Sequence, residues 1–151
     1  MQMRHCLVLA LGLLNTPLMH AQTPPSPTTL AQLRDRYRPL LLFAARPDDP
    51  SLLAQLTKLK DAAPGLKERD VLVIAIAYKD PSPTEVSLSA AEGAAARRAF
   101  HVAPEDFTAI LLGKDGGEKY RSAKPVSFER LQSKIDSMPM RKNEMKDAAK
   151  R

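Results

Sequence analysis

Val71 to Tyr78 reads VLVIAIAY, with β-branched side chains at four of the first six positions and no charge before Lys79. A strand with one wet face alternates apolar and polar residues. This run is apolar on both faces, so its sheet must be covered on both sides. Such a strand belongs to a layered α/β arrangement, in which helices supply the cover and crossover connections supply parallel pairing.

The flanking segments provide those helices and further strands. Leu40 to Ala45 is a second short apolar run, bounded by Pro39 and Pro47, and reads as a buried strand. After it, Leu52, Leu53, Leu56 and Leu59 recur at helical spacing. Asp49 followed by Pro50 is a helix start, a capping carboxylate before a proline at the first helical position. Pro64-Gly65 is the expected stop. Leu30 to Tyr37 is long enough for a short lead-in helix. Ser89 with Glu92 three residues on has the form of a capping box, so a helix is expected from Ala90 to Phe100. Phe107 to Leu112 is a third strand. Asp115-Gly116 turns it into a fourth, Glu118 to Arg121, as an antiparallel hairpin. Ser127 caps a last helix carrying Phe128, Leu131 and Ile135 on one face. The remainder, MPMRKNEMKDAAKR, is expected to be a polar tail, with Met138 extending that apolar face and Met140 and Met145 available to pack it back. The order β-α-β-α-β-β-α is that of an α/β, thioredoxin-like fold: a four-stranded mixed sheet with helices on both faces.

The first 21 residues have a different logic. Arg4 and His5 precede the apolar run Cys6 to Leu14, and Ala21 offers a small exit residue. That is the layout of a secretory signal peptide cut between Ala21 and Gln22. The run is far short of the about 20 apolar residues that a bilayer demands. The plainer account is an uncleaved apolar anchor or an ordinary buried segment. Residues 22–29 form a Pro/Ser/Thr-rich linker, 30–145 the domain, and 146–151 a polar tail. A secreted or periplasmic address follows, with no transmembrane segment once the signal is removed. The only cysteine of the 151 residues is Cys6, inside the signal. A mature chain without it forms no disulfide and runs no thiolate chemistry, because the thiolate is the nucleophile. Losing Arg4 lowers the formal charge from +6 to +5. A basic surface favours an acidic protein or envelope component as partner. The charges are mixed along the chain, and no basic-aromatic motif points to nucleic acid.

Four blocks carry a family resemblance: RPLLLFAARPDDPSLLAQL, ERDVLVIAIAY, FTAILLGKDGGEKYR and IDSMPMRKNEM. Together they resemble the bacterial DUF4174 family, a domain of unknown function, from about Leu30 to Met145. The resemblance implies a thioredoxin- or peroxiredoxin-related fold, similar to domains in sushi-repeat-containing extracellular proteins, and an exported address. It carries no catalytic residue across. In a thioredoxin, a nucleophilic cysteine opens the first covered helix, and a cis-proline precedes the strand leading into the hairpin. The first place is filled here by Arg46-Pro47-Asp48-Asp49. Pro104 is displaced from the second.

Candidate binding residues therefore fall in two groups. Arg46, Asp48 and Asp49 sit at the carboxyl end of a strand, where open α/β sheets bind ligands. An arginine beside a helix start can hold an anion, whereas capping and the helix dipole account for the two aspartates more plainly. Lys114, Lys119 and Arg121 cluster in sequence at the hairpin, and Lys119 and Arg121, two apart on a strand, are expected on one face. Gly113 to Gly117 lies between strands, so it reads as a turn rather than a phosphate loop, which precedes a helix. His101, the one histidine after residue 21, has no ligand spacing around it and no visible orienting partner. No pattern asks for a metal or cofactor. The leading expectation is an exported, non-redox binding module. The alternative is a thiol-independent enzyme acting on an anionic small molecule at the Arg46–Asp49 edge, and a third is a self-assembling scaffold.

Overall fold

The computed structural model describes residues 28–78, 84 and 86–151. The segment that reads as a signal, and that expected as a linker up to residue 27, lie outside them. Among the described residues six helices and four strands follow in order: α1 Leu30–Leu33, β1 Arg38–Ala44, α2 Pro50–Lys60, α3 Ala63–Glu68, β2 Val71–Ala77, α4 Ala90–Ala99, β3 Thr108–Leu112, β4 Glu118–Ser122, α5 Phe128–Asp136 and α6 Pro139–Ala148. The strands make one mixed sheet in the order β2-β1-β3-β4. β1 is parallel to β2 and antiparallel to β3, and β3 is antiparallel to β4. Two apolar layers cover the sheet. On one face Leu40, Leu42 and Leu111 pack under α2, α3 and α5 through Leu52, Leu59, Leu66, Leu131 and Ile135. On the other, Leu41, Phe43, Ile74, Ile76 and Ile110 pack with Leu33 of α1 and Ala96 of α4. Every residue of β1 is buried, as expected of a central strand with both faces covered.

Several local expectations change. Pro64-Gly65 does not stop a helix but opens one. α2 ends at Lys60, and Pro64 stands in the first turn of α3, where its missing N–H costs nothing. Gly65 is required by proximity, since a Cβ there would lie 2.3 Å from Phe128 Cζ. In α2 fully buried Gln55 joins Leu52 and Leu59 on the core face, while Leu53 is 48% exposed. The Gln55 amide donates to Val126 O at 3.0 Å and accepts from Val126 N at 2.6 Å, so it pairs with that backbone as a strand would. Ser89 caps α4 through Glu92 N, but the Glu92 carboxylate accepts from Leu30 N instead of completing the box. The reciprocal box belongs to α1, between Thr29 and Gln32. The tail is helix α6, and Met138 at its start packs on the core.

Candidate functional site

The six residues singled out in the sequence do not converge. Arg46, Asp48 and Asp49 lie past the carboxyl end of β1. Lys114 and Lys119 lie at its amino end, because β3 runs antiparallel and delivers the hairpin there. Arg121 stands opposite Ile110 and donates to Phe100 O at the end of α4. A bulge between Leu111 and Leu112 shifts the β4 register, and Lys119 turns toward Asp115 instead. Lys119 and Arg121 therefore do not share a face, because the extra residue of a bulge reverses the alternation.

At the carboxyl end, Arg46 Nε meets Asp48 Oδ1 at 2.9 Å, with side chains 69% and 72% exposed. The Asp49 carboxylate accepts from Ser51 N and Leu52 N, at 2.8 and 3.2 Å. These two bonds satisfy the first free donors of α2. Arg97, which the sequence reading did not single out, reaches this end from α4. It donates to the carbonyls of Ala44, Ile76 and Ala103 and lies over the rings of Phe43 and Tyr78. Burial holds its pKa below the usual arginine value, against the opposing pull of Tyr78, Asp106 and Glu105. Its visible role is to tie the ends of β1 and β2 to the last turn of α4. No cis peptide bond occurs among the described residues, so the Pro104 bond is trans. His101 adopts φ +52° just past α4, with Val102 N bonded to Arg97 O and His101 N to Arg98 O. That double closure is a left-handed helix cap, usually a glycine's place.

The amino end is where charge is concentrated. Arg38 begins β1 and is 1% exposed. It donates to Arg69 O and to Glu144 Oε1, both at 2.9 Å, and its Nε is buried without a partner. Lys114 Nζ bridges Asp70 and Glu144 at 2.8 Å each, with its side chain 11% exposed. Burial alone lowers the Lys114 pKa, but the hydrogen bonds to these two carboxylates outweigh it and hold the pKa above the usual lysine value. Burial likewise raises Glu144, and Arg38 and Lys114 reverse the shift, leaving it below the ordinary range. Arg69 grips Asp136 with two bonds, at 3.0 and 2.9 Å, which lowers the Asp136 pKa and raises its own. Arg141 of α6 joins Glu68 at 2.6 Å and Asp136 at 3.4 Å. The cations Arg38, Arg69, Lys114 and Arg141 thus meet the carboxylates Glu68, Asp70, Asp136 and Glu144 in one closed network that clasps α6 to the sheet.

Beside this network a cavity of about 410 Å³ opens between the hairpin and the α5–α6 corner. Arg38 and Lys114 form its inner wall, Lys119 and Lys134 its polar sides, and Met138 and Met140 its apolar side. Lys119 is paired with Asp115 at 2.6 Å, and Lys134 makes no ion pair among the described residues. The first turn of α6 also faces this space, and Met138 supplies no side-chain cap to it. Two expected residues, Lys114 and Lys119, line this cavity. Arg38, Lys134 and α6 were missed. A lone arginine before a proline and a lysine in an amphipathic helix carry no local signal of convergence. Among the described residues no group of three or more His, Cys, Asp or Glu could hold a metal, and no helix is long and apolar enough to cross a membrane.

A mixed four-stranded sheet with helices on both faces, in this strand order, is the thioredoxin fold as peroxiredoxins carry it. The solved structures it resembles include the reduced 2-Cys peroxiredoxin of Plasmodium vivax, at TM-score 0.57 and 15% identity over 76% of this chain and 84% of that one. Thioredoxin peroxidase I of Plasmodium yoelii is similar, at TM-score 0.57 and 16% identity over 76% and 79%. At such identities the likeness concerns the fold alone. No curated protein matches the chain. The family described as "Domain of unknown function (DUF4174)" matches residues 29–144, and the chain belongs to it.

Proposed function

We propose that this chain is an exported, non-redox binding module built on a thioredoxin-like domain, with its ligand surface at the amino end of the sheet rather than at the carboxyl end. One observation carries the reading. The place where a helix amino terminus would stabilise a thiolate is held by Asp49, whose carboxylate already bonds the two free N–H groups there. The only cysteine in the sequence is Cys6, in the segment that reads as a signal. Export is supported by the charged start, short apolar run and small exit residue of that segment.

The test uses the full chain, as wild type and as Cys6→Ser. Neither should reduce insulin disulfides or consume peroxide through a thiol cycle, and protein recovered from an exporting host should begin near Gln22. Thiol-reagent-sensitive turnover in the wild-type protein that Cys6→Ser abolishes would overturn the non-redox reading. An intact amino terminus in the exported pool would overturn the address.

A further inference from the structure

We infer that the cavity between the hairpin and the α5–α6 corner is a binding site for a monocarboxylate carried on a short apolar body. The inference rests on the binding-module reading and names the chemistry of its ligand. The charges around the cavity decide the class. Arg38 and Lys114 are neutralised from behind by Asp70 and Glu144. Lys119 is neutralised by Asp115 across the hairpin turn. Lys134 has no ion partner among the described residues, so one positive charge is left over. The start of α6 adds a fraction of a charge, roughly half at a helix amino terminus. Pro139 has no N–H and Met138 N is bonded to Ile135 O, so the N–H groups of this turn without intrahelical acceptors are those of Met140 and Arg141, and Pro139 and Met140 line the space.

A single negative charge matches this surplus, whereas a doubly charged phosphate would be left partly uncompensated. The donors agree. Lysine ammonium groups are point charges that hold a carboxylate without demanding a bidentate fork. The arginine that could supply such a fork, Arg38, is engaged with Glu144 and the Arg69 carbonyl. The rest of the wall is the Asp115 carboxylate, held by Lys119, the Ser137 hydroxyl, which donates to Lys134 O, Gly113, and an apolar side of Met138, Pro139 and Met140. Met138 packs on the core, and Met140, 48% exposed, lines the cavity with an adaptable thioether side chain. At about 410 Å³ the space lies within the range of small-molecule sites. Its design is an acid group at Lys134, the lysine left without an ion partner among the described residues, with a hydrocarbon against the methionines.

The same chemistry has two sources: a free small acid, or the carboxyl terminus of a partner peptide. Methyl-labelled full chain, titrated and followed through the Met138 and Met140 methyl signals, separates them. Hexanoate should move both signals, hexanamide should not, and affinity for hexanoate should fall at least five-fold in Lys134→Gln and remain unchanged in Lys150→Gln. A leucine-ended peptide tested with free and amidated termini gives the second arm. Response to hexanoate alone assigns a free acid, response to the free-ended peptide alone assigns a protein terminus, and response to both leaves the carboxylate as the recognised group. Equal binding of hexanamide, stronger binding of inorganic phosphate, unchanged affinity in Lys134→Gln, or no methyl response in either arm overturns the inference. A positive thiol assay would sink the non-redox reading without touching these signals, so the two failures are distinguishable.

Discussion

Glu144→Ala tests whether the buried network holds α6 to the domain. Glu144 is the carboxylate shared by Arg38, Lys114 and, at 3.7 Å, Arg141. Removing it leaves Asp70 alone to face two cations, a guanidinium that is 1% exposed and an ammonium that is 11% exposed, at 3.9 and 2.8 Å. Breaking a buried pair from one side costs about 3–5 kcal/mol, because the remaining charge stays desolvated. Two features reduce that figure. Glu144 is itself 27% exposed, and Lys114 keeps Asp70 at 2.8 Å. The expected loss is therefore about 2–3 kcal/mol, read as a lower urea midpoint at an unchanged slope, or roughly 10 °C in Tm. Lys114→Met added to Glu144→Ala should recover part of the loss, since one of the two buried cations left to Asp70 is removed. The exposed pair Asp147–Lys150 at the end of α6 is the control, and Lys150→Ala should change little. A loss below about 0.5 kcal/mol for Glu144→Ala would place the network among surface ion pairs, and the argument from burial would fail.

Asp49→Ala should cost about 1 kcal/mol and Asp49→Asn less, because an amide oxygen still caps; a stable Asp49→Ala protein that lost a partner would make that loop a binding site instead. Gln55→Leu keeps the volume but leaves the buried N–H and C=O of Val126 unpaired, about 1–3 kcal/mol for each group; chemical denaturation within 0.5 kcal/mol of wild type would refute the pairing. Acid should loosen α6 early. The Asp136 and Glu144 carboxyls titrate lower folded than unfolded, so the stability they add is present above the usual carboxylate range, about pH 4, and drains as pH falls through their depressed values. Hydrogen exchange in α6 should accelerate below about pH 4 before exchange in β1 does, and simultaneous acceleration would argue against a separate clasp.

How much was legible follows from which signals are local. Runs without polar residues, such as VLVIAIAY, determine a strand covered on both faces whatever surrounds them, because burial on both sides is the only arrangement that hides them. Capping by Asp49 and Ser127 is likewise decided within four residues, between a side-chain oxygen and the N–H groups of the next turn. The alternation of these elements, with Asp115-Gly116 closing the hairpin, was enough for the sheet and its helical layers. A bulge was not, because it depends on how two strands settle against each other, and so the shared face expected for Lys119 and Arg121 was lost. Nor could sequence distinguish Gln55 from Leu53 as the core residue, since the acceptor and donor for Gln55 are 71 residues away. The polar tail became α6 for the same reason. Its helix is weakly amphipathic, and what fixes it is charge: Arg141 and Glu144 meet Glu68, Arg38 and Lys114, brought from three other segments. Residue composition determined that this chain has no thiol beyond Cys6 and carries a basic surplus. Only tertiary structure decided that the surplus is cancelled at Lys114 and left open at Lys134, because whether a charge is free depends on which carboxylates the fold carries within reach.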